Sequence, residues 1–77
     1  MVKAFILIKI RAGDVRDAVD KIQDIPGVVE AYMTFGPYDS VVILESSGLR
    51  EVGRIVAADI QTVPGVLETM TCLAVET

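Results

Sequence analysis

Seventy-seven residues suffice for one domain with one core, because a chain this short buries only about 60% of the surface its unfolded form exposes. A hydrophobic share of 52% against 23% charged residues excludes a disordered chain, and it is more apolar material than one small core hides, which points to association. A net charge of −4 with scattered lysines and arginines supplies no attraction to a phosphate backbone, so nucleic acid is not an expected direct partner.

The first predicted element is a strand over Val2 to Ile10, β-branched and apolar. Its apolar run from Ala4 is bounded by Lys3, Lys9 and Arg11 after too few residues to span a bilayer, and no small-residue cleavage site follows. Gly13-Asp14 supplies a turn and an N-cap for a helix whose apolar stripe is Val15, Ala18, Val19, Ile22 and Ile25, with Arg16, Asp17, Asp20, Lys21, Gln23 and Asp24 on the solvent side. A second strand follows Pro26-Gly27, a third covers Val41 to Glu45, and Ser46-Ser47-Gly48 forms a turn with capping potential. The second helix is predicted from about Leu49 to Thr62, its stripe being Leu49, Val52, Ile55, Val56, Ile60 and Val63; a last strand closes the chain. Asp59 falls within that apolar arc and is expected to reach water at its edge.

A repeat organises these elements. Ile25-Pro26-Gly27-Val28-Val29-Glu30 recurs as Val63-Pro64-Gly65-Val66-Leu67-Glu68, each copy leading from a helix into a strand. Proline pushes the residue before it out of the helical region, and glycine takes the backbone angles needed to turn into the strand. Two strand-helix-strand halves joined through Gly36-Pro37 give βαββαβ, an α+β ferredoxin-like sandwich in which both helices cover one face of an antiparallel four-stranded sheet. The uncovered face should then alternate to polar residues. Instead Ala4, Ile6 and Ile8 alternate with Phe5 and Leu7, and Val41 and Ile43 with Val42 and Leu44, so both faces are apolar and a second copy is the simplest cover.

Histidine, tryptophan and asparagine are absent, which removes the commonest general base and the usual zinc ligands and argues against an enzyme; no metal or cofactor is expected. The single cysteine, Cys72, cannot form an internal disulfide, as suits a reducing, cytoplasmic setting, and reads as a small strand hydrophobe without reactivity. The stretch Thr34-Phe35-Gly36-Pro37-Tyr38-Asp39 joins the halves and carries two aromatics and a carboxylate, although Gly, Pro and Asp are also the ordinary residues of turns.

A Gly-x-Tyr-Asp turn between strands two and three, with Pro-Gly-Val before it and Pro-Gly-Val-x-x-Thr-x-Thr after it, resembles the effector (RAM-type) domain of the Lrp/AsnC family of transcriptional regulators, and the likeness spans nearly the whole chain. The resemblance implies a domain that dimerises through its sheets, dimers that assemble into rings, often octameric, and amino acids bound between neighbouring dimers. By motif it places Gly36, Tyr38 and Asp39 at that site, with Thr69 and Thr71 on the last strand. Their chemistry suits a free amino acid: Asp39 pairs its ammonium, the threonine hydroxyls and backbone N–H groups donate to its carboxylate, and Tyr38 walls its side chain. Two apart on a strand, Thr69 and Thr71 share a face; apart from the resemblance they are also simply good strand formers.

Most full-length members carry an N-terminal helix-turn-helix DNA-binding domain, whereas here Met1 opens directly into strand one. The expectation is therefore a separate small-molecule sensor over residues 1–77, without a DNA-binding domain, that co-assembles with a full-length regulator. Three alternatives stay open. The ACT regulatory domain has the same element order and would place its ligand turn near Gly13. A dimeric α+β barrel enzyme would have to work with Tyr32, Tyr38, Asp39, Glu30 and Glu68, and a purely structural oligomerisation module needs no ligand at all. Related folds fit less well, since the metal-transport Cys-x-x-Cys, the acylphosphatase asparagine and the aromatic pairs of RNA-binding sheets are all missing.

Overall fold

The computed structural model describes residues 1–75. Its elements are β1 (Val2–Ile10), α1 (Val15–Gln23), β2 (Val28–Met33), β3 (Ser40–Ser46), α2 (Leu49–Arg54), which continues directly as a π-helical stretch (Ile55–Ile60), and β4 (Val66–Leu73). The strands form one sheet in the order β2-β3-β1-β4, antiparallel at every pairing. The expected βαββαβ ferredoxin-like arrangement is thus observed.

Alternation along the central strands decides what lies where. Ala4, Ile6, Ile8 and Ile10 of β1 and Val42 and Leu44 of β3 are buried with Ala18, Val19 and Ile22 of α1 and Val52, Ile55, Val56 and Ile60 of the second helix. The intervening residues face the other way: Phe5 is exposed, and Leu7, Val41 and Ile43 are half-buried. One face of the sheet therefore carries the core, and the other stays apolar without a cover from the described residues. Complete burial of residues such as Ile6, Ile22 and Ile60 contributes roughly 1.5–3 kcal/mol each, which concentrates the domain's stability in the layer between sheet and helices.

The repeat has a hydrogen-bonded counterpart. Ile25 N–H donates to Ile22 O (3.0 Å) and Val28 N–H to Ile25 O (3.1 Å); Val63 N–H donates to Ile60 O (3.1 Å) and Val66 N–H to Val63 O (3.2 Å). These tight turns end α1 at Gln23, two residues before the last apolar position of its stripe, and the second helix at Ile60, short of Thr62. Gly27 (φ 100°) and Gly65 (φ 94°) then take backbone angles that other residues rarely adopt. Each glycine carbonyl braces the opposite half: Gly27 O accepts from Glu45 N (2.9 Å) and Gly65 O from Arg11 N (2.8 Å).

Four details differ from the sequence reading. Asp14 precedes α1 but makes no capping bond; its Oδ2 accepts from Arg11 Nε at 2.8 Å instead. Gly48 precedes α2, and Ser46 folds back on it, donating to Gly48 O (2.7 Å) and accepting from Gly48 N (3.2 Å). Leu49, assigned to the apolar stripe, is 61% exposed at the first turn of α2. Cys72 is exposed as well, since its place opposite Phe5 puts it on the uncovered face.

The π-helical stretch is the remaining departure. Gln61 N–H donates to Val56 O, five residues back, at 2.8 Å, a wider turn than the α-helix makes. The same widening lets Arg54 reach Asp59, five residues on, with Nη1 to Oδ2 at 3.5 Å. Asp59 thus lies at the edge of the apolar arc, as expected, and has an ion-pair partner there.

Candidate functional site

The turn between β2 and β3 is held by its own residues. Thr34 N–H donates to Asp39 O (3.0 Å), and the Thr34 hydroxyl donates to Tyr38 O (2.9 Å), closing a loop around Phe35, Gly36 and Pro37. Gly36 stands at φ 139° with open space where a Cβ would be, and Phe35 is fully exposed. Asp39 fastens the turn to β1 twice, donating from its N–H to Ile8 O (2.8 Å) and accepting at Oδ2 from Ile10 N (2.8 Å). Ile10 lies past Ile8 and Ser40, the last pair of the β1–β3 ladder, so its N–H has no backbone acceptor on that side and the carboxylate takes the role. One oxygen of the carboxylate expected to meet a ligand is therefore engaged within the chain.

Tyr38 belongs to the uncovered face. Its hydroxyl donates weakly to Met70 Sδ (3.5 Å), and the Lys9 ammonium lies 5.8 Å from its ring centroid, within cation–π range. Met70 pairs with Leu7, whose side chain points away from the helices. The threonines point the other way: Thr71 pairs with Ile6 and Thr69 with Ile8, both fully buried beneath the helices, and residues directly opposite on paired strands share a face. Thr69 and Thr71 thus share one face, as their spacing requires, but it is the opposite face from Tyr38. Gly36, Tyr38 and Asp39 come together at one end of the sheet, and the threonine pair stands apart on the outer strand.

Sequence reasoning passed over the neighbours of that pair. Gln61, just past the π-helical stretch, donates from Nε2 to Thr69 Oγ1 at 2.9 Å. A groove of about 520 Å³ runs between the second helix and β4, lined by Leu49, Val52, Val56, Gln61, Thr71 and Leu73 over the small residues Gly53 and Ala57. A second groove, of about 450 Å³, lies beside the turn between Val15, Met33, Thr34, Phe35 and Asp39. Gln61 sits among the polar residues flanking the apolar stripe, where nothing in the periodicity distinguishes it. Lys9 was within reach, since strand alternation places it on the face of Leu7.

On the uncovered face the Tyr32 hydroxyl donates to Glu30 Oε1. That bond, with desolvation and the carboxylate's charge behind it, raises the Tyr32 phenol above its ordinary range. No helix among the described residues is long and apolar enough to cross a membrane.

Comparison with known proteins agrees with this geometry. The family model for the Lrp/AsnC ligand binding domain matches residues 3–77. The HTH-type transcriptional regulator FL11 of Pyrococcus horikoshii is 34% identical over 74 residues, 96% of this chain and 48% of that protein. The chain thus spans about half the length of the curated regulators it matches. Among solved structures, TTHA0845 from Thermus thermophilus is 34% identical with a TM-score of 0.95, covering 100% of this chain and 96% of that one. The transcriptional regulator NMB0573 from Neisseria meningitidis, solved as a complex with L-Met, shares the fold with a TM-score of 0.86 at 19% identity, covering 97% of this chain and 50% of that one. A four-stranded sheet with this order, the repeated Pro-Gly turns and a match along nearly the whole sequence make the chain a member of the Lrp/AsnC ligand-binding domain family.

Proposed function

We propose that the domain is a non-catalytic sensor of free amino acids that works as an oligomer, two copies pairing through their uncovered sheet faces and dimers associating further. The observation that carries this reading is the division of the candidate residues. Gly36, Tyr38 and Asp39 gather at the sheet end while Thr69 and Thr71 stand on the opposite face, so a ligand touching both groups lies between copies. The turn of one copy then supplies Tyr38 and the second oxygen of Asp39, and the outer strand of another supplies the threonine hydroxyls. Pairing through the apolar face has a physical cause of its own. Hiding several hundred Å² around Phe5, Leu7, Val41 and Ile43 in each subunit contributes on the order of 10 kcal/mol before association entropy is subtracted.

The likeness to regulators favours a role in which ligand binding changes how the domain assembles with a full-length regulator in the cytoplasm, and the L-Met complex of NMB0573 makes a free amino acid the first ligand class to test. The experiment combines sedimentation equilibrium with a thermal-shift screen of the twenty amino acids. The expected outcome is an assembly larger than the 8.3 kDa monomer at micromolar concentration, with a raised Tm for at least one amino acid. Replacing both threonines, Thr69→Val with Thr71→Val, removes the hydroxyls at nearly constant shape and abolishes that shift. A folded monomer would overturn the assembly, and the absence of any stabilising amino acid would overturn the sensing role.

A further inference from the structure

We infer that Gln61 is a positioning residue for the carboxylate of a bound amino acid, because it fixes Thr69 as a hydrogen-bond donor. The inference rests on the reading of Thr69 as a ligand residue and adds the group that sets which way its hydroxyl points.

A threonine hydroxyl has one hydrogen to donate and two lone pairs that accept, and it rotates to suit its neighbours. Left alone, it serves an ammonium and a carboxylate alike. Gln61 removes that freedom at Thr69. Its Nε2 donates to Thr69 Oγ1 at 2.9 Å, and an amide N–H group does not accept, so the hydroxyl hydrogen has to point elsewhere. Among the described residues it finds no acceptor of its own. One lone pair is thereby taken, and the hydrogen is left for an acceptor from outside the chain. A carboxylate only accepts, whereas an ammonium only donates. The bond from Gln61 also polarises the hydroxyl, which strengthens the one it gives in turn.

The two threonines supply an internal contrast. Thr69 is half-buried and held by Gln61, while Thr71 is exposed and no side chain among the described residues bonds its hydroxyl. Only the Thr69 hydroxyl is aimed before a ligand arrives, so it gives its bond without losing rotational freedom at that moment. Gln61 is itself placed by its backbone, whose N–H closes the π-helical stretch on Val56 O at 2.8 Å, and such turns recur at functional sites. The bond to Thr69 lies at the surface, so its loss leaves no buried polar group unpaired and costs the fold little. Its consequence falls on recognition.

The test measures affinities of the intact chain by isothermal titration calorimetry. The probes are the free amino acid that stabilises it most among the twenty and that amino acid's carboxamide, which keeps the ammonium and side chain but replaces the carboxylate with a neutral group that also donates. Gln61→Met keeps the length of the side chain without its donor. It is expected to weaken the free amino acid about fivefold, the scale of one hydrogen bond, with a smaller effect on the carboxamide. Gln61→Glu accepts the hydroxyl hydrogen and sets a like charge beside the carboxylate, so it should weaken binding further, and it serves alone should Gln61→Met fail to fold. In a Thr69→Val background Gln61→Met should change nothing more, whereas in a Thr71→Val background its effect persists. Circular dichroism and assembly size should match the wild type throughout. Undiminished affinity in Gln61→Met, equal losses for the free amino acid and its carboxamide, or a Gln61→Met effect that survives in Thr69→Val each overturn the positioning role while amino-acid sensing stands. If Thr69→Val binds like the wild type, Thr69 falls as a ligand residue and Gln61 with it. If no amino acid binds the wild type, the sensing reading itself falls.

Discussion

Helices α1 and α2 each follow a strand and return through the same Pro-Gly turn, yet α1 is a regular nine-residue helix and α2 continues as a π-helical stretch over Ile55–Ile60. The bonds that end the two helices match position for position, Ile25 to Ile22 against Val63 to Ile60, and each turn's glycine carbonyl braces the other half. The ends of the repeat therefore set the architecture, while the helix between them is free to differ. In the first half that freedom goes unused: Ala18, Val19 and Ile22 pack as a conventional apolar stripe. In the second half, Gly53, Ala57 and the wider turn leave a groove beside β4.

The two turn glycines offer the strongest way to break that equivalence. Both hold positive φ, which costs an alanine about 1–2 kcal/mol at either site. Their surroundings differ. A Cβ at Gly27 would meet the methyl ends of Ile55 (3.1 Å) and Leu44 (3.3 Å), which can yield, whereas at Gly65 it would stand 2.7 Å from Asp14 Cβ, close to a backbone that Arg11 also holds. Gly65→Ala is expected to cost about 2–4 kcal/mol and Gly27→Ala about 1–3, measured as urea midpoints by circular dichroism at one protein concentration. Adding Asp14→Gly to Gly65→Ala should recover part of the loss. A larger cost at Gly27 would mean that the core side of the repeat is the less yielding one.

How much of this could be read in the sequence follows from the kind of information each feature needs. β1 was legible because Val2 to Ile10 is a β-branched, apolar run that ends at a glycine turn, and the repeat was legible because proline and glycine act locally. The common face of Thr69 and Thr71 follows from the pleat alone. Which face that is, relative to Tyr38, depends on β4 pairing with β1 as Ile6 with Thr71, a long-range register that no local pattern specifies. The π-helical turn was hidden for a different reason: spacings of four (Val56 to Ile60) and five (Ile55 to Ile60) satisfy both kinds of helix. The engagement of Asp39 was hidden because it depends on β1 outrunning its ladder with β3, which leaves Ile10 N–H in need of an acceptor.

Gly53 sharpens the comparison with an intermediate effect of opposite sign. A helix-interior glycine replaced by alanine, with space for the new methyl and no special backbone angle, should stabilise the protein by about 0.5–1 kcal/mol. Chemical denaturation of Gly53→Ala at matched concentration gives the value. A destabilised variant would show that the second helix depends on glycine flexibility for its π-helical turn, tying the irregular segment to backbone freedom instead of to the room in the groove.

The smallest effect lies on the helix surfaces. Arg54 donates to Glu51 through Nη2 (2.6 Å) and Nε (3.2 Å), and these bonds, with the attraction of the charge, hold the Glu51 carboxyl below its ordinary range. In α1, Asp17 and Lys21 stand one turn apart, but no ion pair joins them among the described residues. A carboxylate whose folded pKa is lowered adds stability that is present above its unfolded pKa and is lost as pH falls through the folded one. Glu51→Gln is therefore expected to lower Tm slightly at neutral pH and low salt. The gap should close as acid protonates Glu51 in the wild type, and it should narrow in 1 M salt because both partners are exposed and screened. Asp17→Asn should show no comparable closing gap. If the Glu51→Gln difference survived below the folded pKa, its origin would be packing of the side chain against α2 and not the charge pair, and the surfaces of the two helices would be electrostatically alike.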